Sequence, residues 1–226
     1  MRHPSPVTHH SSRLWTVVPV RGFAEGKSRL APALDAPARY RLNRGLLEHT
    51  LGVIERWRGN LERCVVVSPC SAALAMAARL GAHALAQTPD AGGLNAAAGL
   101  GASYAARRGG RSVLILPCDL PHLSTRSLAA MVDGREAGPR MVIAPDSGGT
   151  GTNALLVSVQ QPFEFRFGER SCARHIALAA ERRWEVSLCR HPELEFDLDT
   201  PENLAAWHGR LRANGREFLE MVSSRQ

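Results

Sequence analysis

The strongest constraint in this sequence is a rhythm. Short, unbroken apolar runs alternate with longer stretches that repeat their apolar residues every three or four positions. Leu14-Trp15-Thr16-Val17-Val18-Pro19-Val20, Cys64-Val65-Val66-Val67 and Ser112-Val113-Leu114-Ile115-Leu116-Pro117 are runs of the first kind. A strand without a polar side is one covered on both faces. Between them, residues 38–57 set Leu42, Leu46, Thr50, Val53 and Ile54 at helical spacing, and residues 72–80 and 94–107 read as helices stopped by Gly81 and Gly109-Gly110. Further strands are expected over 83–87, 141–144, 153–159 and 185–189. Further helices are expected near 127–132, over 171–183 and over 201–212, the last opened by Pro201. Strands separated by helices imply parallel β-α-β units with right-handed crossovers. The expectation is a single-domain α/β three-layer sandwich with a mostly parallel sheet. In such a sheet the ligand lies beyond the carboxyl ends of the strands, so the loops that follow strands carry the chemistry.

A chain of 226 residues suffices for one such domain, placed here over residues 14–213. That leaves residues 1–13, rich in His, Ser and Pro, as an expected disordered leader, and residues 214–226 as a tail. A formal charge of +7 favours anionic partners. The basic residues are scattered, however, as in Arg39, Arg41, Arg44, Arg56, Arg58 and Arg63, which reads as a solvated helix surface. Aromatics at 5% leave little to stack on bases, so no nucleic-acid partner is expected. Five cysteines without a C-x-x-C pair argue against a disulfide framework or a zinc site and for reduced thiols in a cytoplasm. No apolar stretch approaches the roughly 20 residues of a membrane span, and the first residues lack the apolar segment of a signal peptide.

Five loops hold the candidate residues. After the first strand comes Arg21-Gly22-Phe23-Ala24-Glu25-Gly26-Lys27-Ser28-Arg29-Leu30, where Gly22 and Gly26 are one residue too close for a P-loop. Its chemistry survives the failed match: backbone N–H groups beside glycine, with Lys27 and Arg29, suit a polyphosphate. Pro117-Cys118-Asp119-Leu120-Pro121 follows the clearest strand and offers a carboxylate for Mg²⁺, while Ser124 is better placed than Asp119 to cap the next helix. In Asp197-Leu198-Asp199-Thr200-Pro201, an extended backbone would turn both carboxylates to one side, although Asp199 or Thr200 could instead cap the following helix. The loop 146–153, with its glycines and hydroxyls, suits an anionic substrate. In Phe167-Gly168-Glu169-Arg170-Ser171-Cys172-Ala173-Arg174-His175, Gly168 and Ser171 stand where a helix begins, a place that attracts phosphate. His175, one turn on, either faces the site or is a satisfied interface histidine. A Cys172–His175 catalytic pair is conceivable there, with no other feature behind it.

Taken together, Gly26-Lys27-Ser28-Arg29-Leu30, Gly93-Leu94-Asn95, Pro117-Cys118-Asp119-Leu120-Pro121, Gly151-Thr152-Asn153-Ala154-Leu155, Phe167-Gly168 … Ser171 … His175 and Asp197-Leu198-Asp199-Thr200-Pro201 resemble the 2-phospho-L-lactate guanylyltransferase family, the CofC-type enzymes of coenzyme F-420 biosynthesis. The resemblance spans residues 15–207. It implies a GT-A-like nucleotidyltransferase fold of the nucleotide-diphospho-sugar transferase type. It implies GTP as donor, Mg²⁺ as metal, and 2-phospho-L-lactate, phosphoenolpyruvate or 3-phospho-D-glycerate as acceptor. Asp119, Asp197 and Asp199 match the family's metal-binding aspartates, and Thr152, Gly168 and Ser171 its acceptor positions. Gly26, Lys27, Gly93 and Asn95 lie where the family binds nucleotide, with Asp119, Lys27 and Arg29 as the groups expected to act in catalysis. Cys118 departs from the small residue expected there. A downstream transferase of the same pathway is the macromolecular partner this implies, and monomer or dimer is left open. A molybdopterin or sugar-phosphate nucleotidyltransferase on the same architecture, or a non-catalytic nucleotide-sensing module, stand as alternatives.

Overall fold

The structure, a computed structural model, describes residues 13–88, 92–132 and 140–213, with side chains described through residue 209. The expected leader (apart from Arg13) and the expected tail lie outside the described residues. The strands are β1 (Leu14–Pro19), β2 (Cys64–Ser68), β3 (His83–Ala86), β4 (Ser112–Ile115), β5 (Arg140–Pro145), β6 (Thr152–Ser158) and β7 (Glu185–Leu188). They form one sheet in the order β3-β2-β1-β4-β6-β5-β7. The helices are α1 (Ala36–Arg58), α2 (Ser71–Arg79), α3 (Gly93–Arg107), α4 (Thr125–Val132), α5 (Ser171–Glu181), α6 (Pro192–Glu195) and α7 (Pro201–Ala213).

Side chains alternate across the strands with period two, and the apolar runs therefore feed two cores. Val18, Val66, Leu114 and Leu156 face one core, closed by Leu47 and Leu51 of α1, Met76 of α2 and Leu128 of α4. Trp15, Val17, Val65, Ile115 and Leu155 face the other, closed by Ala97, Ala98, Ala102 and Ala105 of α3 and by Cys172 and Ala179 of α5. The result is the expected three-layer sandwich. A third cluster joins Leu30, Leu42 and Leu46 to Leu198, Leu204 and Trp207. It binds the loop after β1, helix α1 and the start of α7 into one unit, and so fixes two segments of the site to each other.

The chain departs from an unbroken β-α-β succession at one place. β6 runs antiparallel to both β4 and β5, whereas every other pairing is parallel. The residues between β5 and β6 make a tight hairpin turn, and a parallel partner would need a crossover of about a dozen residues. Because β6 is reversed, its first residue, Thr152, lies at the end of the sheet where β1 and β4 finish. Register confirms this, with Ser112 opposite Ser158 and Ile115 opposite Leu155. The sheet's order also reverses between β1 and β4, since the chain moves outward from β1 through β2 to β3 and then returns to β4 on the other side. A crevice forms at such a switch point, at the carboxyl ends. The short 3-10 turn Ser28–Leu30 and the one-turn helix α6 were not signalled by periodicity, being too short to show any.

Candidate active site

The two strands that flank the switch point deliver the first charged residues. Beyond β1, Gly26 donates its N–H to Gly22 O at 2.8 Å, and the buried Asn43 of α1 donates Nδ2 to Phe23 O at 2.8 Å. A Cβ on Gly26 would stand 2.7 Å from Asn43 Nδ2 and 3.1 Å from Gly22 O, so only glycine fits this close approach. The loop thereby sets Lys27 in the left-handed region at φ 57°. A lysine held there carries backbone strain of order 1–3 kcal/mol, a feature that concentrates at functional sites.

Lys27 Nζ lies 3.2 Å from Asp119 Oδ2, beyond β4, and 3.6 Å from Asp199 Oδ1. Arg29 Nη1 reaches Asp199 Oδ2 at 2.9 Å from a largely exposed position. Burial works against the Lys27 ammonium, yet Asp119 and then Asp199 outweigh it and hold its pKa above the ordinary value. Asp197 belongs to the same group: burial, followed by the charge of Asp119, raises its carboxyl above the usual range. Leu198 N donates to Asp119 O at 2.9 Å and Leu198 itself is fully buried, which locks the two acidic segments together. Neither Asp119 nor Asp199 is needed for capping. Thr200 Oγ1 accepts from Asn203 N at 3.3 Å at the start of α7, and Ser124 Oγ accepts from Ser127 N at 3.3 Å at the start of α4. Asn203 Nδ2 also donates to Asp197 O at 2.6 Å, a support that no motif signals.

Among the described residues, no three His, Cys, Asp or Glu side chains are grouped so as to hold a metal ion on their own. Lys27 stands instead between Asp119 and Asp199 as their counter-charge. The donor set is nonetheless all oxygen, as a hard cation such as Mg²⁺ requires. Asp197, raised by burial and a neighbouring carboxylate, is a group that a further cation would favour in its charged form. The residues fit the metal that the sequence resemblance implies. Cys118 is half-buried beside Asp119, and desolvation of its sulfur, then that charge, push its thiol up to about 12.

The second half of the site is assembled around His175, which is fully buried. Thr152 Oγ1 lies 3.2 Å from His175 Nδ1, and the backbone N–H of Arg166 donates to His175 Nε2 at 3.1 Å. Burial, then the charges of Arg174 and Arg166, lower its pKa to about 4. The histidine is thus satisfied and neutral. No Cys172–His175 pair forms, and burial raises the Cys172 thiol. Gly168 takes φ 114°, a conformation that favours glycine, and Ser171 N donates to its carbonyl at 3.2 Å to open α5. That helix has no side-chain cap and no acidic residue in its first turn. Its second N–H, of Cys172, donates to Thr150 O at 3.0 Å and ties the helix start to the turn between β5 and β6. Asn95 at the start of α3 forms a paired contact with Phe167, donating to its carbonyl at 3.1 Å and accepting from its N–H at 2.7 Å. Its amide therefore anchors the loop before α5, while Gly93 remains exposed at the helix start. The 146–151 turn closes on itself, with Asp146 Oδ1 accepting from Thr150 N at 2.8 Å.

The family described as guanylyl transferase CofC like matches residues 14–223. A phosphoenolpyruvate guanylyltransferase of Rubrobacter xylanophilus is 39% identical over 203 residues, covering 89% of this chain and 95% of that protein. A 3-phospho-D-glycerate guanylyltransferase of Phenylobacterium zucineum is 34% identical over 190 residues, covering 83% and 86%. A solved nucleotidyl transferase from Methanothermobacter shares the fold, with a TM-score of 0.63 at 14% identity over 90% of this chain and 99% of that one.

Proposed function

The chain belongs to the CofC-like guanylyl transferase family and is a nucleotidyltransferase; from that premise we propose that it transfers GMP from GTP to phosphoenolpyruvate, releasing pyrophosphate, as a step toward coenzyme F-420. The observation that carries this reading is the convergence of Lys27, Arg29, Asp119, Asp197 and Asp199 at the carboxyl ends of β1 and β4. Thr152, Gly168 and Ser171 lie at the same end of the sheet. Phosphoenolpyruvate is preferred over 3-phospho-D-glycerate and 2-phospho-L-lactate because the Rubrobacter protein is the more similar of the two relatives above.

In this reading Thr152, Gly168 and Ser171 hold the acceptor's phosphate and carboxylate. The loop 26–29 and the start of α3 at Gly93 hold GTP. One acceptor phosphate oxygen attacks the α-phosphorus in line, forming a new P–O bond as the bond to pyrophosphate breaks. The attacking oxygen is already anionic at neutral pH, so no strong base is required. The protein's work is positioning and charge neutralisation. Lys27 and Arg29 offset the charge that gathers on the leaving pyrophosphate. Asp119, Asp197 and Asp199 would hold Mg²⁺, whose charge would offset that of the triphosphate. The cysteines are all free thiols, in keeping with a cytoplasmic setting.

The test is to supply GTP and Mg²⁺ with each of the three acids in turn and to follow pyrophosphate release and product mass. Release with phosphoenolpyruvate alone is the expected result. Release with another acid alone would move the acceptor assignment, and release with none would remove it.

A further inference from the structure

His175 is buried within the acceptor half of the site and yet reaches no exposed surface, which raises the question of what a fully enclosed imidazole does there. Its two contacts answer it. The group facing Nε2 is the backbone N–H of Arg166, which can only donate, so Nε2 must accept. A protonated ring would set two N–H groups against each other at that contact. Two accepting nitrogens would require an imidazolate. The remaining state is the neutral ring with its proton on Nδ1, and that N–H faces Thr152 Oγ1 at 3.2 Å. Thr152 Oγ1 is therefore an acceptor toward His175, and its own proton must be donated elsewhere. Among the described residues no other hydrogen-bond partner of that hydroxyl is found. Phe167 meets the ring edge-on at 5.0 Å between centroids and keeps it from turning over.

We propose that His175 is a positioning residue that fixes Thr152 as a hydrogen-bond donor toward the bound acid, its own tautomer being dictated by the Arg166 backbone amide. The chain of cause runs from a main-chain N–H, through a buried ring, to the direction of one hydroxyl proton. It explains why a histidine is needed rather than an amide or an apolar ring, since the side chain must accept at one end and donate at the other across an aromatic width. It also couples the two sides of the acceptor loop, because Arg166 and Thr152 belong to different segments held by one imidazole. The inference rests on the reading above that Thr152 touches the acceptor.

Two measurements on the full chain test it. Nitrogen-15 spectra of the histidine rings, assigned by comparison with His175→Phe, should show His175 neutral with the proton on Nδ1 between pH 6 and 8. In steady-state kinetics, Thr152→Val and His175→Phe should each raise KM for phosphoenolpyruvate about tenfold while KM for GTP stays within twofold. The double variant should be no worse than Thr152→Val alone, because the second change removes nothing that acts through another route. Additive effects in the double variant, or a ring protonated at Nε2, would overturn the inference and leave the acceptor reading intact. An unchanged KM in Thr152→Val would instead remove the reading beneath it. Should His175→Phe fail to fold, the ring spectra of the unaltered protein, assigned through His175→Asn, still decide the tautomer.

Discussion

At the scale of single residues, the site depends on charges whose surroundings are nearly complete. Asp119 faces the buried Lys27 ammonium and is tied through its carbonyl to Leu198. Asp119→Asn keeps the shape of the side chain and removes the charge. Turnover should fall by at least a hundredfold while the circular-dichroism melt moves by only a few degrees; near-normal activity would sink the catalytic assignment. His175 gives a second prediction, on stability. Its folded pKa of about 4 lies below the ordinary 6.5, so the unfolded chain takes up the proton first on acidification. The neutral ring's contribution is fully present above about pH 6.5 and is lost as pH falls toward 4, amounting to about 3 kcal/mol by linkage. Urea unfolding at pH 7.5 and 4.5 should show that loss, and His175→Phe should show less of it. Arg166 and Arg174 are the charged groups that act on the ring. That these acidic and basic residues would converge was legible because carboxylates and lysine at strand ends are chemically conspicuous. The histidine's role was not, since it is decided by a backbone amide nine residues earlier in the chain.

At the scale of elements, close packing of α3 on the sheet sets the geometry. Its inner face is Ala97, Ala98, Gly101, Ala102 and Ala105, all small and all buried. A Cβ on Gly101 would lie 2.3 Å from Val17 Cγ1 and 3.2 Å from Val67 Cγ2. Gly101→Ala should therefore lower the urea midpoint despite the better helix propensity of alanine, since overpacking costs about 1–3 kcal/mol against a propensity gain of about 1. A rise in midpoint would show that α3 can shift outward without penalty. The strands were readable because burial on both faces leaves an unbroken apolar run. The direction of β6 was not, for its Thr152–Ser158 run looks the same in either sense. The signal was the short connection from Pro145 to Thr152, which permits a hairpin and excludes a crossover. Apart from the unsignalled α6, the helix boundaries were legible to within about two residues, with Ser124 and Thr200 marking two starts in chemical terms. Asp35, which accepts from Ala38 N, starts α1 ahead of the periodic stretch and passed unread.

At the scale of the whole molecule, the site is stitched from segments far apart in the chain: Lys27 and Asp119 are separated by 92 positions, Arg29 and Asp199 by 170. A ligand that engages all of them braces the entire domain. GTP with Mg²⁺, at a hundred times its dissociation constant, should stabilise the fold by about 2.7 kcal/mol. A chelator should remove most of that increment in a thermal melt; an increment that survives chelation would separate nucleotide binding from the three aspartates. The reversed strand β6 has a consequence in time. β5 is synthesised before β6 but, among the described residues, pairs only with β6 and β7, while β4 pairs with β1 and β6. On the ribosome, then, the older half of the sheet waits with β4 as a naked edge, and β5 hangs unpaired until the hairpin closes. A chain released at Pro145 would carry that open edge into solution, and the last aspartates of the site would never arrive to meet the lysine already in place.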